Sequence, residues 1–174
     1  QALDASKKDW FPIAHSKAGT TRHYPKGAMV LNMLKYVVGE DQFNSTIQYY
    51  LQKHAYGTVD TEDFLIAFYE HLGLSLDWFW EEWVLKGGEP HYAVDFEELP
   101  HEYRFTVRQI HEQNELVGLF KMPIFFEVHF TDGTFLRKKR IIENRFEQVT
   151  LPVVEGKEVA FVLFAPKNQV LMAV

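Results

Sequence analysis

The chain has 174 residues, of which 47% are apolar and 16% aromatic, and its formal charge is −6 at pH 7. This length can supply the core of one mid-sized domain or of two small ones. The acidic balance argues against a general nucleic-acid surface, which is normally basic. The sequence has no cysteine, which excludes disulfides and thiolate metal sites, and no apolar run approaches the roughly 20 residues of a membrane span.

The N-terminal region shows little organisation. Residues 1–22 are polar and are predicted to be irregular, with a loop around Gly19. The chain begins with Gln1 rather than methionine, so we expect a piece excised from a longer protein. Because targeting signals would lie in the missing part, the sequence predicts no cellular compartment.

Four short amphipathic helices are predicted next, because apolar residues recur at helical spacing between polar caps and glycines. We expect Asp60 or Thr61 to cap the third helix and Ser75 to cap the fourth. Loops of a few residues between such helices indicate a helical bundle or the end of one. The helices are predicted over about 25–38, 42–53, 61–72 and 76–86.

After Pro90 the hydrophobic period changes from 3.6 to 2, which predicts strands. Hairpin turns are predicted at Asp132-Gly133 and at Glu155-Gly156, and a last strand over Val170–Val174. About seven strands, with turns every ten residues or so, are typical of an immunoglobulin-like β-sandwich. We therefore expect two domains of different class, a helical bundle segment over residues 1–88 and a β-sandwich over residues 89–174.

Tyr24 is placed where a helix begins. Pro25 follows at a first-turn position, where its missing N–H has no cost. The small residues Gly27 and Ala28 would let another group approach the first turn closely. From spacing alone, the simpler interpretation of Tyr24 is a ring that packs beside the start of the helix.

A longer motif surrounds this tyrosine. Tyr-x-Lys-Gly-Ala over 24–28 is followed by an apolar helix and by Gly-Glu-Asp-x-Phe over 39–43, and this pattern resembles the M1 family of zinc aminopeptidases, the gluzincins. The resemblance runs over about residues 20–94 and continues more loosely over 119–124. Its further landmarks are Tyr50-Leu51, His54, Asp63-Phe64, Trp83 and Gly88-x-Pro90-x-Tyr92.

The resemblance assigns a role to one residue of this chain. In that family the tyrosine of the motif lies in the active site and donates a hydrogen bond to the oxyanion of the tetrahedral intermediate. Tyr24 is the matching position, so we expect it to be catalytic in the parent protein. The resemblance also implies that the helices are the end of an M1-like catalytic domain.

A zinc site is not predicted within this chain. The family binds zinc through the two histidines of H-E-x-x-H and a glutamate on the next helix, and none of the eight histidines lies in such a motif. The Gly-x-Met-x-Asn loop, which holds the substrate N-terminus in that family, is also missing. Both motifs precede the tyrosine in the family, so we expect zinc in the parent and no bound cofactor in this fragment.

Two other clusters have simpler interpretations. The tryptophans Trp78, Trp80 and Trp83 stand at helical spacing, and we interpret them as packing rather than as a stacking platform for sugars or bases. The basic run over 137–140 lies on a predicted strand, where charge usually protects an exposed sheet edge. A phosphate or acidic-peptide site is the less favoured alternative.

The predicted function is therefore that of a fragment of a zinc metallopeptidase that removes N-terminal residues from peptides, inactive on its own. Its expected partners are a peptide substrate and the zinc-bearing half of the catalytic domain. That half would pack on Met29, Met33 and Leu34, whose exposure in its absence would favour self-association. The alternative is a non-catalytic M1-like scaffold or a protein-interaction module.

Overall fold

The computed structural model describes residues 11–19, 22–167 and 169–174. The predicted irregular region 1–22 therefore lies partly outside the described residues. The chain divides into two compact units. The first contains the described residues up to Gly88 together with Asn114–Gly118, and the second contains Glu89–Gln113 and the chain from Leu119 onward. Across the described ranges, no helix is both long enough and apolar enough to cross a membrane.

The first unit is helical. A π-helical turn, Arg22–Lys26, leads directly into the first α-helix. The predicted fourth helix also differs from a regular α-helix, because four α-helical residues are followed by a second π-helical turn, Glu81–Leu85. The α-helices are α1 (Gly27–Val38), α2 (Glu40–Lys53), α3 (Thr61–Leu72) and α4 (Asp77–Trp80).

The cap predicted for α3 is confirmed and the cap predicted for α4 is wrong. The Asp60 carboxylate accepts a hydrogen bond from the N–H of Asp63, and the Asp63 carboxylate accepts one from the N–H of Asp60. This reciprocal pair satisfies two N–H groups that a helix start leaves open. At α4 the hydroxyl of Ser75 donates to the carboxylate of Asp77 instead, and Leu76 occupies the cap position without a side-chain bond.

Apolar side chains of α1 lie in the core. Met33 and Leu34 are fully buried and Val30 is nearly so. The expectation that Met33 and Leu34 are exposed without a further half of the domain is therefore wrong, and Met29 is only partly exposed. Other residues of this chain already cover these apolar side chains, so their burial gives no support for self-association.

The tryptophan cluster packs as predicted. Trp83 is fully buried and Trp80 is 5% exposed. The ring of Phe79 lies 6.4 Å from that of Trp83, and the ring of Phe64 on α3 lies 5.8 Å from that of Trp80. These large side chains form the core where α3 and α4 meet, because each buries more apolar area than an aliphatic residue would.

The second unit contains antiparallel strands in two sheets of three. One sheet has the order β1-β2-β5 and the other β4-β3-β6. In the first sheet Phe105 of β2 lies opposite Phe96 of β1 and Val149 of β5. The strands are β1 (Tyr92–Glu98), β2 (Glu102–Gln109), β3 (Met122–Phe130), β4 (Phe135–Ile142), β5 (Phe146–Pro152) and β6 (Val159–Phe164).

One hairpin prediction is confirmed, the other is wrong, and one predicted strand is absent from the described residues. Asp132-Gly133 turns β3 into its antiparallel neighbour β4. Glu155-Gly156 forms no hairpin, because β5 pairs with β2 while β6 pairs with β3, so the chain changes sheets there. Val170–Val174 is not a strand, and only Ala173 makes an isolated bridge, to His91.

Aromatic rings from the two sheets contact one another. Phe105 of β2 lies 5.2 Å from Phe126 of β3, and Tyr103 lies 6.1 Å from Phe130, measured between ring centroids. All four residues are buried. The inward positions of β2 and β3 therefore alternate as the period-2 pattern predicted.

The basic run lies on β4, at one end of its sheet, which confirms the predicted charged edge. Its first residue, Arg137, bonds the buried carboxylate of Glu127 on the neighbouring strand. Burial raises the pKa of Glu127, but hydrogen bonds from His129 and Arg137 outweigh it and keep that pKa below its ordinary value. Lys138 bonds the carbonyl of Thr150 on β5, so two members of the run already have partners.

The β3–β4 turn is stabilised by a carboxylate. Asp132 accepts hydrogen bonds from the N–H and the hydroxyl of Thr134, and its other oxygen lies 2.9 Å from the ammonium of Lys157. The Thr134 hydroxyl, followed by Lys157 and the Thr134 N–H, lowers the pKa of Asp132 from 3.8 to about 2. A carboxyl group whose pKa is lower in the folded state stabilises the fold above its unfolded pKa.

We therefore predict that Asp132→Asn lowers stability at pH 7 and that the difference disappears in acid. The contribution of Asp132 should be complete above pH 3.8 and should be lost as the pH falls toward about 2. Urea unfolding of both proteins between pH 7 and pH 2 measures the difference in unfolding free energy. A difference that is the same at both ends of this range would mean that the carboxylate charge does not stabilise the turn.

Candidate active site

Tyr24 projects from the π-helical turn that precedes α1. Its side chain is 77% exposed, and among the described residues its hydroxyl has no hydrogen-bond partner. A ring that merely packs beside a helix start would be covered by its neighbours. The phenol of Tyr24 is therefore available to a group that is not part of the described chain.

Local sequence explains how the turn forms. Pro25 lies inside it, at a position where the first turn of a helix has no use for an N–H group. A side-chain carbon added at Gly27 would meet nothing within 4 Å. The fold of the described residues therefore does not require glycine at position 27, and the space there is open.

Lys26, two residues after the exposed Tyr24, is buried. Its side chain is fully buried, and its ammonium donates a 2.8 Å hydrogen bond to the backbone carbonyl of Gly88. Lysines are almost never fully buried unless they are paired. In the sequence Lys26 is a member of the Tyr-x-Lys-Gly-Ala motif, and the only signal of its burial is a lysine at the start of an apolar helix.

The segment around Gly88 contacts the loop Asn114–Gly118. Gly88 has φ +73°, and an added side-chain carbon would lie 2.8 Å from a methyl group of Val117, so only glycine fits without a shift. The N–H of Gly87 donates to the carbonyl of Leu116, and the ammonium of Lys86 donates to that of Glu115. The carbonyl that Lys26 binds is thus fixed by the loop Asn114–Gly118.

The described residues do not form a metal centre. No three histidine, aspartate or glutamate side chains in these ranges come close enough together to hold a metal ion. His91 and His111 are neighbours, with ring centroids 6.5 Å apart, but no carboxylate completes a site with them. The residues present therefore do not fit the zinc ion that the motif implies.

Comparison with known proteins identifies the class of the helical unit. Residues 14–83 match the peptidase family M1 domain. Aminopeptidase N of Haemophilus influenzae is 31% identical over 148 residues, which are 80% of this chain and 16% of that protein. A probable aminopeptidase 1 of Sulfurisphaera tokodaii is 28% identical over 127 residues, 71% of this chain and 16% of that protein. Residues 14–83 are therefore part of an M1 peptidase domain, which confirms the resemblance seen in the motif.

Two further similarities extend this result. The crystal structure of Legionella pneumophila aminopeptidase A in complex with aspartic acid matches 100% of this chain and 21% of that chain, with a TM-score of 0.74 at 18% identity. At this identity the match shows the fold alone. Tricorn protease-interacting factor F2 of Thermoplasma volcanium is 36% identical over 72 residues, 41% of this chain and 9% of that protein. The chain thus spans a small part of each relative.

We predict that Tyr24→Phe leaves the stability of this chain unchanged. The side chain is exposed and its hydroxyl makes no hydrogen bond to the described residues, so its loss should change the unfolding free energy by less than about 0.5 kcal/mol. Tyr49→Phe is the matched control, because the Tyr49 hydroxyl donates to Glu70 at 2.9 Å and its removal breaks a hydrogen bond. Urea unfolding compares the two, and a larger loss for Tyr24→Phe would show that its hydroxyl supports the fold.

Proposed function

We propose that this chain is the C-terminal part of the catalytic module of an M1-like zinc aminopeptidase, followed by a β-sandwich domain. The parent would hydrolyse N-terminal residues from peptides. The helical part would supply Tyr24 to the active site, and residues outside this chain would bind the zinc ion. The observation that carries the proposal is an exposed, unpartnered phenol at the motif position of a segment that matches the M1 domain.

The chemistry assigned to Tyr24 is hydrogen-bond donation. A phenol is protonated at neutral pH, so it can donate to an oxygen that gains negative charge without carrying a charge of its own. When a peptide carbonyl becomes tetrahedral, its oxygen becomes such an acceptor, and a donor already in place stabilises the transition state more than the ground state. The free hydroxyl of Tyr24 needs no bond to be broken before it donates.

The space at Gly27 supports the same site. The described chain places nothing within 4 Å of an added side-chain carbon there, although glycine is a poor helix former. A substrate backbone, or the helix that bears the zinc ligands, would use this space to approach the first turn of α1. Gly27 would then be required by the active site and not by the fold.

The zinc ion has no ligand set among the described residues. In the proposed parent it would be bound by an H-E-x-x-H motif and a glutamate that precede Tyr24, and it would polarise the substrate carbonyl and activate water. On this proposal the chain alone has no peptidase activity. Its own contribution to the reaction is the hydrogen bond from Tyr24.

We assign residues 1–88 to the catalytic domain and residues 89–174 to an immunoglobulin-like β-sandwich. The two three-stranded antiparallel sheets and the ring contacts between them, such as Phe105 with Phe126, support this assignment. The sandwich would be a separate module without a role in the chemical step.

A second candidate function is that of a non-catalytic M1-like scaffold that binds other proteins. It is favoured by the relative named Tricorn protease-interacting factor F2, which matches 72 residues of this chain. The two candidates differ in the sequence that precedes Tyr24. An active parent needs H-E-x-x-H and a glutamate about 18 residues later, and a scaffold does not.

We predict that Tyr24→Phe in the longer protein lowers kcat by roughly 100- to 1000-fold, the usual effect of losing one oxyanion donor. KM should change much less, because the bond forms only in the transition state. Steady-state assays on aminoacyl-anilides, with zinc content measured on the same samples, decide the outcome. The chain alone should not turn over these substrates, and near-normal kcat in the Phe variant would remove Tyr24 from the mechanism.

Gly27→Ala tests whether glycine is required at this position for activity but not for stability. In this chain we expect the variant to be stabilised by up to roughly 0.4–1 kcal/mol, because alanine has less backbone freedom to lose and finds open space. In the longer protein we expect kcat/KM to fall, because the added methyl group occupies the approach to Tyr24. Equal or better activity with higher stability would show that nothing comes close to Gly27 during catalysis.

A further inference from the structure

We infer that Lys26 is a positioning residue for Tyr24, and that its buried ammonium fixes the turn from which the phenol projects. The inference rests on the proposed function, since it concerns how the proposed hydrogen-bond donor is held in place. Lys26 would not touch the substrate. Its role would be to keep the Tyr24 hydroxyl in one position relative to α1.

The burial of Lys26 requires an explanation. Its side chain is completely covered, although removing an ammonium group from water is unfavourable and lysine normally keeps its charged end at the surface. The bond of 2.8 Å to the Gly88 carbonyl offsets part of this cost. Because any other position of the ammonium would break that bond, the burial holds the end of the side chain in place and ties the backbone of Lys26 to that of Gly88.

The anchoring of the Lys26 backbone affects Tyr24 because both residues belong to the same turn. Tyr24 and Lys26 both lie within the five residues of Arg22–Lys26, one side chain exposed and the other buried. Within the described chain Tyr24 forms no hydrogen bond of its own that would hold the ring. The position of the phenol therefore depends on the backbone of the turn, and Lys26 anchors that backbone at its C-terminal end.

The segment that accepts the bond from Lys26 has contacts of its own. The Gly87 N–H donates to the Leu116 carbonyl at 2.6 Å, and Gly88 lies against Val117. The bond between the π-helical turn and Gly88 joins positions 62 residues apart in sequence. Lys26 thus connects the turn of Tyr24 to a packed segment that follows the last helical turn.

A lysine elsewhere on α1 provides the comparison. Lys35 lies at the surface, where its ammonium pairs with Glu40 at 3.2 Å and its side chain is 37% exposed. Surface pairs of this kind contribute little to stability. Lys35→Met therefore removes a lysine from the same helix without disturbing the anchor.

The test uses this chain labelled with 3-fluorotyrosine and observed by fluorine NMR. The eight tyrosines give the resonances, and Tyr24→Phe identifies the one from Tyr24. We expect Lys26→Met to shift or broaden the Tyr24 resonance while the resonances of Tyr56 and Tyr69 stay unchanged, and Lys35→Met to change none of the three. An unchanged Tyr24 resonance in a folded Lys26→Met protein would overturn the inference.

Because Lys26→Met can also unfold the chain, Lys26→Arg is the second variant. It keeps the positive charge and the donors but has a larger, planar head group that cannot reproduce the same contact. We expect a folded protein whose Tyr24 resonance is displaced. A folded Lys26→Arg chain with the original Tyr24 resonance would overturn the inference independently of the methionine variant.

Kinetics in the longer protein separate this inference from the proposed function. If both hold, Tyr24→Phe and Lys26→Arg each lower kcat by at least 10-fold with little change in KM, and the double variant is no worse than Tyr24→Phe alone. If Tyr24→Phe lowers kcat and Lys26→Arg does not, positioning by Lys26 is wrong and the proposed function stands. If Tyr24→Phe has no effect on kcat, the proposed function fails, and the fluorine spectra alone decide whether Lys26 fixes the turn.

Discussion

The hydrogen bond from Lys26 to the carbonyl of Gly88 connects the turn that precedes α1 to the segment that follows the last helical turn. It requires a fully covered ammonium, a glycine with positive φ and a loop that fixes that glycine. Each of these conditions comes from a different part of the first unit. The arrangement therefore exists only when the helical unit is folded, because an unfolded chain would keep the ammonium in water.

The bond from Lys26 does not involve Tyr24, the exposed residue of the same turn. Tyr24 is exposed in the same turn whose last residue, Lys26, is buried, and there is open space at Gly27, three residues further on. A hydrogen-bond donor is most effective when it is already in position and does not reorganise during the reaction. The described residues contain an exposed phenol at Tyr24 and no metal ligand set. We propose that the phenol is the donor and that the rest of an M1 peptidase supplies the metal.

Local sequence patterns predicted the elements well. The four helices, the cap at Asp60 and the hairpin at Asp132-Gly133 depend on residues close together in sequence. The errors have different causes. Glu155-Gly156 has hairpin chemistry, but β5 and β6 pair with strands of different sheets. The cap at Ser75 fails locally, because its hydroxyl bonds Asp77, and the burial of Met33 and Leu34 within this chain is a tertiary property that spacing does not reveal.

The candidate site was predictable only in part. The motif selected Tyr24 because its residues are contiguous, but the motif gives no reason why a lysine belongs at position 26. That reason is the Gly88 carbonyl, 62 residues away, together with the close contact of Gly88 and Val117. The hydrophobic period and the helix caps cannot reveal such a partner, because both depend only on residues that are close together in sequence.

The most direct measurement is a crystal structure of the longer protein bound to a phosphinic peptide, whose oxygens stand in for those of the tetrahedral intermediate. We predict that the Tyr24 hydroxyl lies within about 2.7–3.1 Å of one of those oxygens, with Lys26 still bonded to Gly88. A peptide analogue that binds next to the metal while the Tyr24 hydroxyl faces solvent would contradict it.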